Sequence, residues 1–223
     1  MIFTAYGFRI SLTAMRETGN AQPKPYHHGD LSRALVEAAL RLIERDGPTA
    51  LSLRAVAREA GVSPAAPYHH FADKGELLGA VAHQGWEALG REMKEGLARA
   101  RTPAQKRTAM GVAYVKFSRE HPALYRVMGD CSRDQEALSA MTDKGEDSAY
   151  SSVRETIAAE GGPGITAQDV ELATIAAWAA AHGLSEIAGF KQFDGLKAEL
   201  GGEEAFVRAV LEHLGMFSRT HHG

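Results

Sequence analysis

The sequence predicts an all-α protein, and three observations lead to this fold class. Apolar residues recur at helical spacing along nearly the whole chain; Leu31, Leu35, Ala38 and Leu42, for example, fall on one helix face. No stretch alternates apolar and polar residues over the length of a strand. Capping residues, glycines and prolines divide the chain into segments of helical length.

Three helices are predicted in the N-terminal part of the chain. Asp30 is expected to cap the first helix, which Asp46-Gly47-Pro48 ends. Ser52 is expected to cap the second helix, and Gly61 ends it in the left-handed conformation that glycine tolerates. Ser63 is expected to cap the third helix, which is followed by a core aromatic residue.

The rest of the chain is predicted to be a helical bundle, joined to the N-terminal part by a helix rather than a linker. Asp73 and Glu76 form a D-x-x-E box that opens a helix reaching about residue 100. Thr166 and Asp169 form a second such pair, directly after the break at Gly161-Gly162-Pro163-Gly164. The other predicted helices cover residues 103–120, 122–128, 134–160, 166–190 and 203–218.

Composition and charge exclude some classes of protein. The 223 residues are 44% hydrophobic and 24% charged, which is ordinary for a globular protein. The formal net charge is -3 and the pI is about 6.4. A protein that coats nucleic acid without specificity has a pI above about 9, so that class is excluded. The length suffices to bury a core without disulfides or metal.

The single cysteine and the apolar segments favour a cytoplasmic protein. Cys131 has no partner for an internal disulfide, which fits a reducing compartment and a passive thiol. No apolar run reaches the roughly 18 residues that span a bilayer. Residues 1–14 lack the basic start and apolar core of a signal peptide. Residues 1–25 are therefore predicted to be a disordered tail, with Met1 and Met15 both open as the start.

Residues 53–71 have the pattern of a helix-turn-helix, in which the second of two short helices enters the major groove of DNA. The pattern is a weak signal by itself, and the surrounding motifs make it specific. The stretch from Leu51 to Ser63 (LSLRAVAREAGVS) precedes Tyr68-His-His-Phe71 and Asp73-Lys74-x-Glu76-Leu77-Leu78. Together with the leading helix over residues 31–45, these motifs resemble the TetR family of bacterial repressors.

The resemblance implies a division of the chain into two domains. A three-helix DNA-binding domain would occupy residues 26–73, and a helical ligand-binding and dimerisation domain would occupy residues 74–223. Tyr26-His-His-Gly-Asp-Leu31 and Trp178-x-x-x-His182-Gly183 are similar to a subgroup named for a Trp-His-Gly (WHG) signature in its C-terminal domain.

The expected contacts to double-stranded operator DNA fall into two groups, namely contacts to backbone phosphates and contacts to base edges. The base-edge candidates are Pro64, Ala65, Ala66 and His69. The resemblance assigns phosphate contacts to Tyr68, His70 and Lys74; the start of the third helix and Arg54 are further phosphate sites. Phe71 is expected in the core. The predicted DNA-binding residues are Arg54, Ser63, Pro64, Ala65, Ala66, Tyr68, His69, His70 and Lys74.

Pro67 departs from the family pattern, which tends to have an aliphatic residue at this position. Proline lacks the N–H of the first helical hydrogen bond and pushes Ala66 away from the α region. The third helix is therefore expected to begin as a tight or irregular turn, which leaves the base contacts open. The alanines can meet only thymine methyl groups, while His69 can form hydrogen bonds.

Aromatic and methionine side chains at helical spacing in the larger domain are either core or the lining of a ligand pocket. The resemblance favours a pocket for a small-molecule effector. Trp178 and His182 share one helix face, and His182 is either a ligand hydrogen-bonding group or a satisfied core histidine. The predicted pocket residues are Trp86, Met93, Met110, Tyr114, Phe117, Tyr125, Met128, Trp178 and His182.

Two of the C-terminal segments suit a homodimer interface built from four helices. One is rich in alanine, so helices can approach closely, and the other has an apolar stripe; in a monomer both would be plain core. Two operator half-sites about 34–36 Å apart need two DNA-binding domains, which favours the dimer. The predicted interface residues are Ala176, Ala180, Gly183, Phe206, Val210, Leu214 and Phe217.

Neither catalysis nor a cofactor is expected. The sequence has no nucleophile elbow and no phosphate-binding loop. The histidine pairs His27-His28, His69-His70 and His221-His222 lack supporting ligands, so no metal is predicted; the first pair could instead enter a groove as an N-terminal arm. The sequence predicts a ligand-responsive repressor that an apolar effector releases. The alternatives are an all-α small-molecule binding protein without operator binding and a helical enzyme.

Overall fold

The computed structural model describes the backbone of residues 28–131 and 149–217 and the side chains of residues 31–131 and 149–214. These residues form helices and contain no strand. The predicted tail over residues 1–25, the helix start at residue 134 and the side chain of Phe217 lie outside the described residues. The α-helices are α1 (His28–Asp46), α2 (Leu53–Ala60), α3 (Lys74–Leu97), α4 (Pro103–Glu120), α5 (Pro122–Cys131), α6 (Ala149–Glu160), α7 (Ala167–Ile187), α8 (Asp194–Leu200) and α9 (Glu203–Phe217). Short 3₁₀ helices cover Pro48–Ala50, Ala66–His69 and Lys191–Phe193.

The first helix starts earlier than the sequence predicts. Helix α1 begins at His28, so Asp30 lies within its first turn. A cap residue has non-helical backbone angles, and the prediction that Asp30 caps this helix is therefore wrong. The predicted end at Asp46 is confirmed.

The ends of α2 agree with the predicted caps. The Oγ atom of Ser52 accepts a hydrogen bond from the backbone N–H of Ala55 at 3.1 Å, which satisfies one of the free donors of the first turn. Gly61 follows the helix with φ 71°, a left-handed conformation in which a side chain would be strained. These two residues confine α2 to eight residues.

The second helix of the helix-turn-helix is a 3₁₀ turn rather than an α-helix. The Ala66 N–H donates to the Ser63 carbonyl at 3.0 Å, and the Tyr68 N–H donates to the Ala65 carbonyl at 3.2 Å. Pro67 has no N–H for the α-helical bond to Ser63, which accounts for the tighter pattern. The N-cap position is Ala65, without a side-chain cap, so the prediction that Ser63 caps an α-helix here is wrong.

Helix α3 joins the N-terminal helices to the helical bundle. Asp73 Oδ1 accepts from the Glu76 N–H at 2.9 Å, while Glu76 Oε2 accepts from the Ala72 N–H at 2.6 Å. The predicted box therefore opens this helix, although Glu76 reaches one residue further back than a standard capping box. Thr102 and Thr166 carry full capping boxes at the starts of α4 and α7.

The short helix α8 was not predicted from the sequence. It has seven residues, a glycine at its second position and no side-chain cap at its N-terminus. Local sequence signals are therefore weak there.

One continuous core connects the N-terminal helices to the bundle. Leu35 and Ile43 of α1 belong to the same buried cluster as Trp86 of α3 and Tyr114 of α4. Helix α5 packs against α1, α3 and α4. A side-chain Cβ at Gly85 of α3 would lie 2.7 Å from Met128 Sδ of α5, so α3 and α5 approach too closely for alanine. A second cluster lies between α4, α7 and α9. No helix in the described part of the chain is long and apolar enough to cross a membrane.

Candidate functional site

The residues predicted to contact DNA lie together on the N-terminal head, which we define as residues 28–73, and at the start of α3. Arg54, Ser63, Pro64, Ala65, Tyr68 and His69 are exposed, while Ala66, His70 and Lys74 are half-buried. Pro67 and Phe71 are buried, which holds the 3₁₀ turn on the core and leaves the Tyr68 side chain 53% exposed. The turn therefore presents a mostly polar surface together with α2.

The arginines of the head differ in how far their charge is already neutralised. Arg41 and Arg45 both pair with Glu59, and Arg45 also pairs with Asp46. The hydrogen bond from Arg45 lowers the pKa of Glu59, so this carboxylate stays charged. By contrast, among the described residues no ion pair is formed by the exposed Arg54 or by Arg58.

Arg58 was missing from the predicted DNA-binding residues. It lies four residues after Arg54 on the short helix α2, and side chains at this spacing share a helix face. The i, i+4 pair of arginines directly before the glycine turn is a sequence signal that could have identified it.

Lys74 holds the start of α3 against the end of α1. Its Nζ donates a hydrogen bond at 3.0 Å to the carbonyl oxygen of Pro48. An ammonium group has three donors, so the remaining two can still meet a phosphate. The lysine thus has a structural contact in addition to its predicted role on DNA.

An apolar cavity of about 340 Å³ lies between α3, α4, α6, α7 and α9. Its wall consists mainly of methionine, alanine, aliphatic and aromatic side chains. At one end Arg107 pairs with Glu160. The lining residues are Met93, Arg107, Thr108, Met110, Gly111, Tyr114, Val153, Ile157, Glu160, Ala173, Ala176, Ala177, Trp178, Ala180, Ala181, Leu211 and Leu214.

A second, more polar cavity of about 610 Å³ lies between α3, α4, α5 and α7. Tyr114 and Trp178 line both cavities, and their rings meet edge to face with centroids 5.2 Å apart. The lining residues of the polar cavity are Trp86, Tyr114, Ser118, Arg119, Pro122, Tyr125, Arg126, Gly129, Asp130, Trp178, His182, Ser185 and Glu186.

Three polar side chains meet at the wall of the polar cavity. The Tyr125 hydroxyl lies 2.6 Å from His182 Nδ1, and the Tyr114 hydroxyl lies 3.2 Å from the same atom and 3.4 Å from the Tyr125 hydroxyl. Burial raises the pKa of both tyrosines, so both remain neutral phenols. His182 is thus held in a hydrogen-bonded cluster and is exposed at its other side.

One lining residue of each cavity has a buried polar atom that lacks a partner. Within residues 31–131 and 149–214, the buried side-chain polar atoms without a hydrogen bond are Trp86 Nε1 and Glu160 Oε1. Trp86 lines the polar cavity and Glu160 lines the apolar one. Such atoms are unfavourable in a folded protein, and each one needs an explanation.

The structure divides the predicted single pocket into these two cavities. Met93 and Met110 line the apolar cavity; Trp86, Tyr125 and His182 line the polar one. Two predicted members line neither cavity. Phe117 and Met128 are 1% and 0% exposed and belong to the main core, which favours the core alternative for both.

The predicted dimer surface is also revised in part. Phe206 is 3% exposed and stacks on Phe193, with ring centroids 5.8 Å apart. It is therefore core within one chain and not part of an interface. Of the other predicted residues, Ala176 and Leu214 are exposed and Ala180, Gly183 and Val210 are half-buried.

Helix α7 exposes large apolar side chains that the prediction did not include. Leu172, Ile175 and Ile187 are 58%, 52% and 40% exposed. Their spacing places them with Ala176 and Gly183 along one side of the helix. We call this row, together with Leu214 of α9, the α7 stripe. Part of it borders on the apolar cavity, since Ala176 and Leu214 also line that space.

Groups that could hold a metal ion occur at one place in the described ranges. Glu92, Glu120 and His121 bring ligand atoms within 4.8 Å of one another. The His121 Nδ1 donates to Glu44 Oε1 at 3.2 Å, a bond that ties the end of α4 to α1. Burial raises the pKa of Glu92. The cluster therefore has a structural explanation, and the absence of a bound metal stays a prediction.

Comparison with known proteins identifies two family matches along the chain. Residues 35–81 match the model for "Bacterial regulatory proteins, tetR family", and residues 108–214 match "Tetracyclin repressor-like, C-terminal domain". The second match leaves the WHG subgroup a prediction.

Curated relatives are similar over the N-terminal part. The HTH-type transcriptional regulator BetI of Brucella canis is 35% identical over 86 residues, which cover 39% of this chain and 42% of that protein. BetI of Rhizobium meliloti is 37% identical over 78 residues, which cover 35% of this chain and 38% of that protein. The chain thus matches less than half of the length of these relatives.

Solved structures match most of the chain. A protein of unknown function from Rhodococcus sp. RHA1 has a TM-score of 0.69 at 29% identity, over 86% of this chain and 96% of that one. The transcriptional regulator FadR from Bacillus subtilis, in complex with stearoyl-CoA, has a TM-score of 0.58 at 16% identity, over 81% and 95%. The second likeness shows the fold alone.

Proposed function

The chain belongs to the TetR family of DNA-binding transcriptional regulators, which are not enzymes, and from this premise we propose that it is a cytoplasmic repressor. It binds operator DNA as a homodimer, and a small apolar effector releases it. The carrying observation is one continuous core that joins the exposed, mostly polar surface of the head to two cavities in the bundle.

The exposed surface of the head supports the DNA-binding part of this proposal. Arg54 and Arg58 offer charge that no described carboxylate neutralises, and Tyr68, His70 and Lys74 offer hydrogen-bond donors to phosphates. Pro64, Ala65, Ala66 and His69 lie on the turn that meets base edges. Only His69 among these four can form hydrogen bonds, so DNA shape contributes to the choice of operator.

The apolar cavity supports a small apolar effector. Its volume of about 340 Å³ lies in the range of ~300–1,000 Å³ that is typical of small-molecule sites. The methionines in its wall adapt to ligands of different shape. FadR from Bacillus subtilis, which has the same fold, was crystallised with stearoyl-CoA, a ligand that combines a long apolar chain with a polar group.

The α7 stripe supports the homodimer. Leu172, Ile175 and Ile187 form an apolar row on a helix, and exposed apolar patches of this kind mark interaction sites. A two-fold contact along it would place two heads side by side, as two operator half-sites require. Because Ala176 and Leu214 border on the apolar cavity, the same contact would also cover one side of that cavity.

Helices α3 and α5 are the proposed route from effector to DNA. Helix α3 begins at the head, and its Trp86 and Met93 each line one cavity. Helix α5 contributes Tyr125 to the polar cavity and packs against α1 of the head. An effector that prefers a different position of these helices changes the separation of the two heads, and its binding then lowers the affinity for the operator.

Operator binding is tested by a gel-shift titration against the DNA upstream of the protein's own gene. Wild type is expected to bind in a sequence-selective and salt-sensitive manner. Tyr68→Ala is expected to lower affinity on all sequences alike, because phosphate contacts carry no sequence information. Arg91→Ala, which removes an exposed arginine of the bundle, is the matched control. Absence of selective binding by wild type would favour the alternative, a small-molecule binding protein without operator binding.

The oligomeric state is tested by analytical ultracentrifugation at micromolar concentration. Wild type is expected to sediment as a dimer, and Ile175→Asp as a folded monomer, because a charge in an apolar interface is unfavourable. Leu196→Asp on α8 replaces another exposed apolar residue, which lies outside the α7 stripe, and should leave the dimer intact. A monomeric wild type would refute this part of the proposal.

A further inference from the structure

We propose that a second copy of this chain completes the apolar cavity, so that effector binding and dimerisation strengthen each other. This inference rests on the proposed function and specifies how its effector site is regulated. The partner subunit closes the open side of the cavity with its own α7, and an effector is therefore fully enclosed only in the dimer.

The open side of the apolar cavity lies at α7 and α9. On the opposite side, Met93 and Tyr114 are each 2% exposed. Among the lining residues that the structure describes, Ala173, Ala176 and Leu214 are exposed, and the others are buried or half-buried. The cavity thus meets solvent along the two helices that carry the α7 stripe, and nowhere else in the described wall does an exposed residue border on it.

Helices α7 and α9 meet at one end and enclose this space at the other. Leu184 of α7 and Val207 of α9 belong to one buried cluster. Further along, Ala173 of α7 and Leu214 of α9 both line the cavity. An apolar ligand between them keeps part of its surface in water, which weakens its binding to a single chain.

The side chains along α7 suit a two-fold contact with a second copy. Leu172, Ala176, Ala179, Gly183 and Ile187 follow one side of the helix, with large residues at both ends and small ones between them. When two such helices cross antiparallel at the small residues, Ile187 of the partner subunit lies opposite Leu172. An added Cβ at Gly183 has no neighbour within 4 Å, so the partner's backbone can approach closely there.

Ile187 is the residue that the partner subunit adds to the site. It is 40% exposed and is not part of the lining of the cavity in its own chain. On α7 it shares the edge of the stripe that Ala176 occupies beside the cavity. In the two-fold contact, Ile187 of the partner subunit therefore lies next to Leu172 and Ala173, over the open side, where it removes ligand surface from water.

The size of the surface also favours a second copy as its occupant. Helices α7 and α9 have 21 and 15 residues, which correspond to lengths of about 31 and 22 Å and a width of about 10 Å each. Two copies would then bury roughly 1,000 Å² together, which reaches the size of a specific interface. The two half-sites of an operator require the same two-fold arrangement.

The enclosure predicts a reciprocal effect on two equilibria. If the partner removes roughly 60 Å² of apolar ligand surface from water, the ligand binds the dimer about tenfold more tightly than the monomer. Coupling between two binding equilibria is reciprocal. Because a dimer has two such cavities, a saturating ligand lowers the dissociation constant of the dimer about 100-fold.

The first test uses wild-type full-length protein and butylbenzene as an apolar probe. Trp178 lines the cavity, so tryptophan fluorescence reports on binding. Analytical ultracentrifugation gives the dissociation constant of the dimer with and without saturating butylbenzene, and we expect it to fall about 100-fold. Butylbenzene should also bind about tenfold more weakly at protein concentrations at which the dimer dissociates. A dimer constant that the probe leaves unchanged would overturn the inference.

The second test uses two monomeric variants, Ile175→Asp and Gly183→Leu. Neither residue lines the cavity, so a lost ligand contact does not explain weaker binding. Both variants are expected to bind butylbenzene about tenfold more weakly than wild type, while circular dichroism and thermal unfolding confirm that they are folded. Leu196→Asp is the dimeric control and should bind like wild type. A folded monomer with wild-type affinity would show that one chain completes the cavity, which contradicts the inference.

The third test asks whether Ile187 reaches the cavity of the partner. Ile187→Ala is measured at a concentration at which ultracentrifugation shows a dimer, and it should bind butylbenzene about threefold more weakly because less of the probe is covered. Leu196→Ala, at an exposed apolar residue outside the α7 stripe, is the matched control. An unchanged affinity in dimeric Ile187→Ala would refute the contribution of Ile187.

The outcomes separate this inference from the function on which it rests. If wild type is a dimer that butylbenzene releases from the operator, and the monomeric variants bind the probe equally well, the proposed function stands and the inference is wrong. If wild type is monomeric, or binds no butylbenzene, the proposed dimer or the proposed apolar effector is refuted, and the inference is refuted with it.

Discussion

The head and the bundle place their polar groups in opposite directions. In the head, Arg54, Tyr68 and His69 point into solvent. In the bundle, Tyr114, Tyr125 and His182 meet at the wall of the polar cavity, and Trp86 and Glu160, which line the polar and the apolar cavity respectively, have buried polar atoms without a partner. The head thus exposes its polar groups to solvent, whereas the bundle encloses polar groups between its helices. Under the proposed effector response, a ligand in the bundle would act on the head through the core that both regions share.

The two regions also differ in charge. Residues 1–75 carry a net charge of about +2 and the remainder about -5. Because Glu59 already neutralises part of the charge of Arg41 and Arg45, DNA binding depends on a few placed groups. We therefore expect moderate salt dependence and high selectivity.

The largest expected effect is a loss of stability, and it tests whether Phe206 is a core residue or an interface residue of the bundle. Phe206→Ala removes a buried ring that stacks on Phe193 and should lower the free energy of unfolding by about 3–5 kcal/mol. Leu200→Ala, at a side chain that is 42% exposed, is the control and should change it far less. Denaturant unfolding measures both. If Phe206→Ala changed the free energy of unfolding only slightly, Phe206 would not be a core residue and its predicted place in the dimer interface would be favoured.

The second prediction concerns the head alone. Replacing Arg54 and Arg58 together by alanine should weaken operator binding about 10- to 30-fold at physiological salt and reduce the salt slope by about 2, since two phosphate contacts are lost. Both side chains are exposed, so thermal stability should remain unchanged. Fluorescence anisotropy on labelled operator DNA over a series of salt concentrations provides the measurement. An unchanged slope would show that neither arginine contacts DNA.

The third prediction addresses the coupling between the two regions. A Cβ at residue 85 would lie 2.7 Å from Met128 Sδ and 3.1 Å from Leu124 Cδ1. Gly85→Ala should therefore push α5 away from α3, lower stability by about 1–3 kcal/mol and shift the effector concentration that releases the operator.

The matched control for Gly85→Ala lies on the same helix. At Gly79 an added Cβ has no neighbour within 4 Å, so Gly79→Ala should stabilise α3 by roughly 0.5–1 kcal/mol without changing effector release. Thermal unfolding and gel shifts compare the two variants. Equal behaviour of both variants would mean that the contact between α3 and α5 carries no coupling.

The smallest expected effect is a pH dependence in the bundle. Burial, followed by the hydrogen bond to Glu171, raises the pKa of Tyr150 to about 12. The folded state thus holds this proton more tightly than the unfolded state, whose tyrosine pKa is about 10. The stabilisation is present below pH about 10 and is lost as the pH rises towards 12. Tyr150→Phe should flatten the stability profile in this window slightly, because Tyr150 is only half-buried. Stability profiles of wild type and Tyr150→Phe that coincide between pH 10 and 12 would contradict the raised pKa of Tyr150.

Local sequence signals predicted the elements that depend on neighbouring residues. Ser52 and Gly61 delimit α2, and Thr166 with Asp169 starts α7, because caps act over three or four residues. Pro67 likewise indicated an irregular turn. Asp30 failed as a cap because the helix continues before it, and α8 was missed because a seven-residue helix without a cap depends on packing against the rest of the chain.

The sequence by itself determined the all-α class and the family resemblance, and it predicted a set of DNA-binding residues that stays a prediction, since these follow from local periodicity and short motifs. Only the tertiary structure decided that Phe117, Met128 and Phe206 are core, that the expected pocket is two cavities sharing Tyr114 and Trp178, and that Trp86 lacks a partner. The physical reason is that space and hydrogen-bond partners belong to sets of helices distant in sequence. A periodic pattern shows which side of a helix is apolar, but it does not show whether that side meets another side chain or an open space.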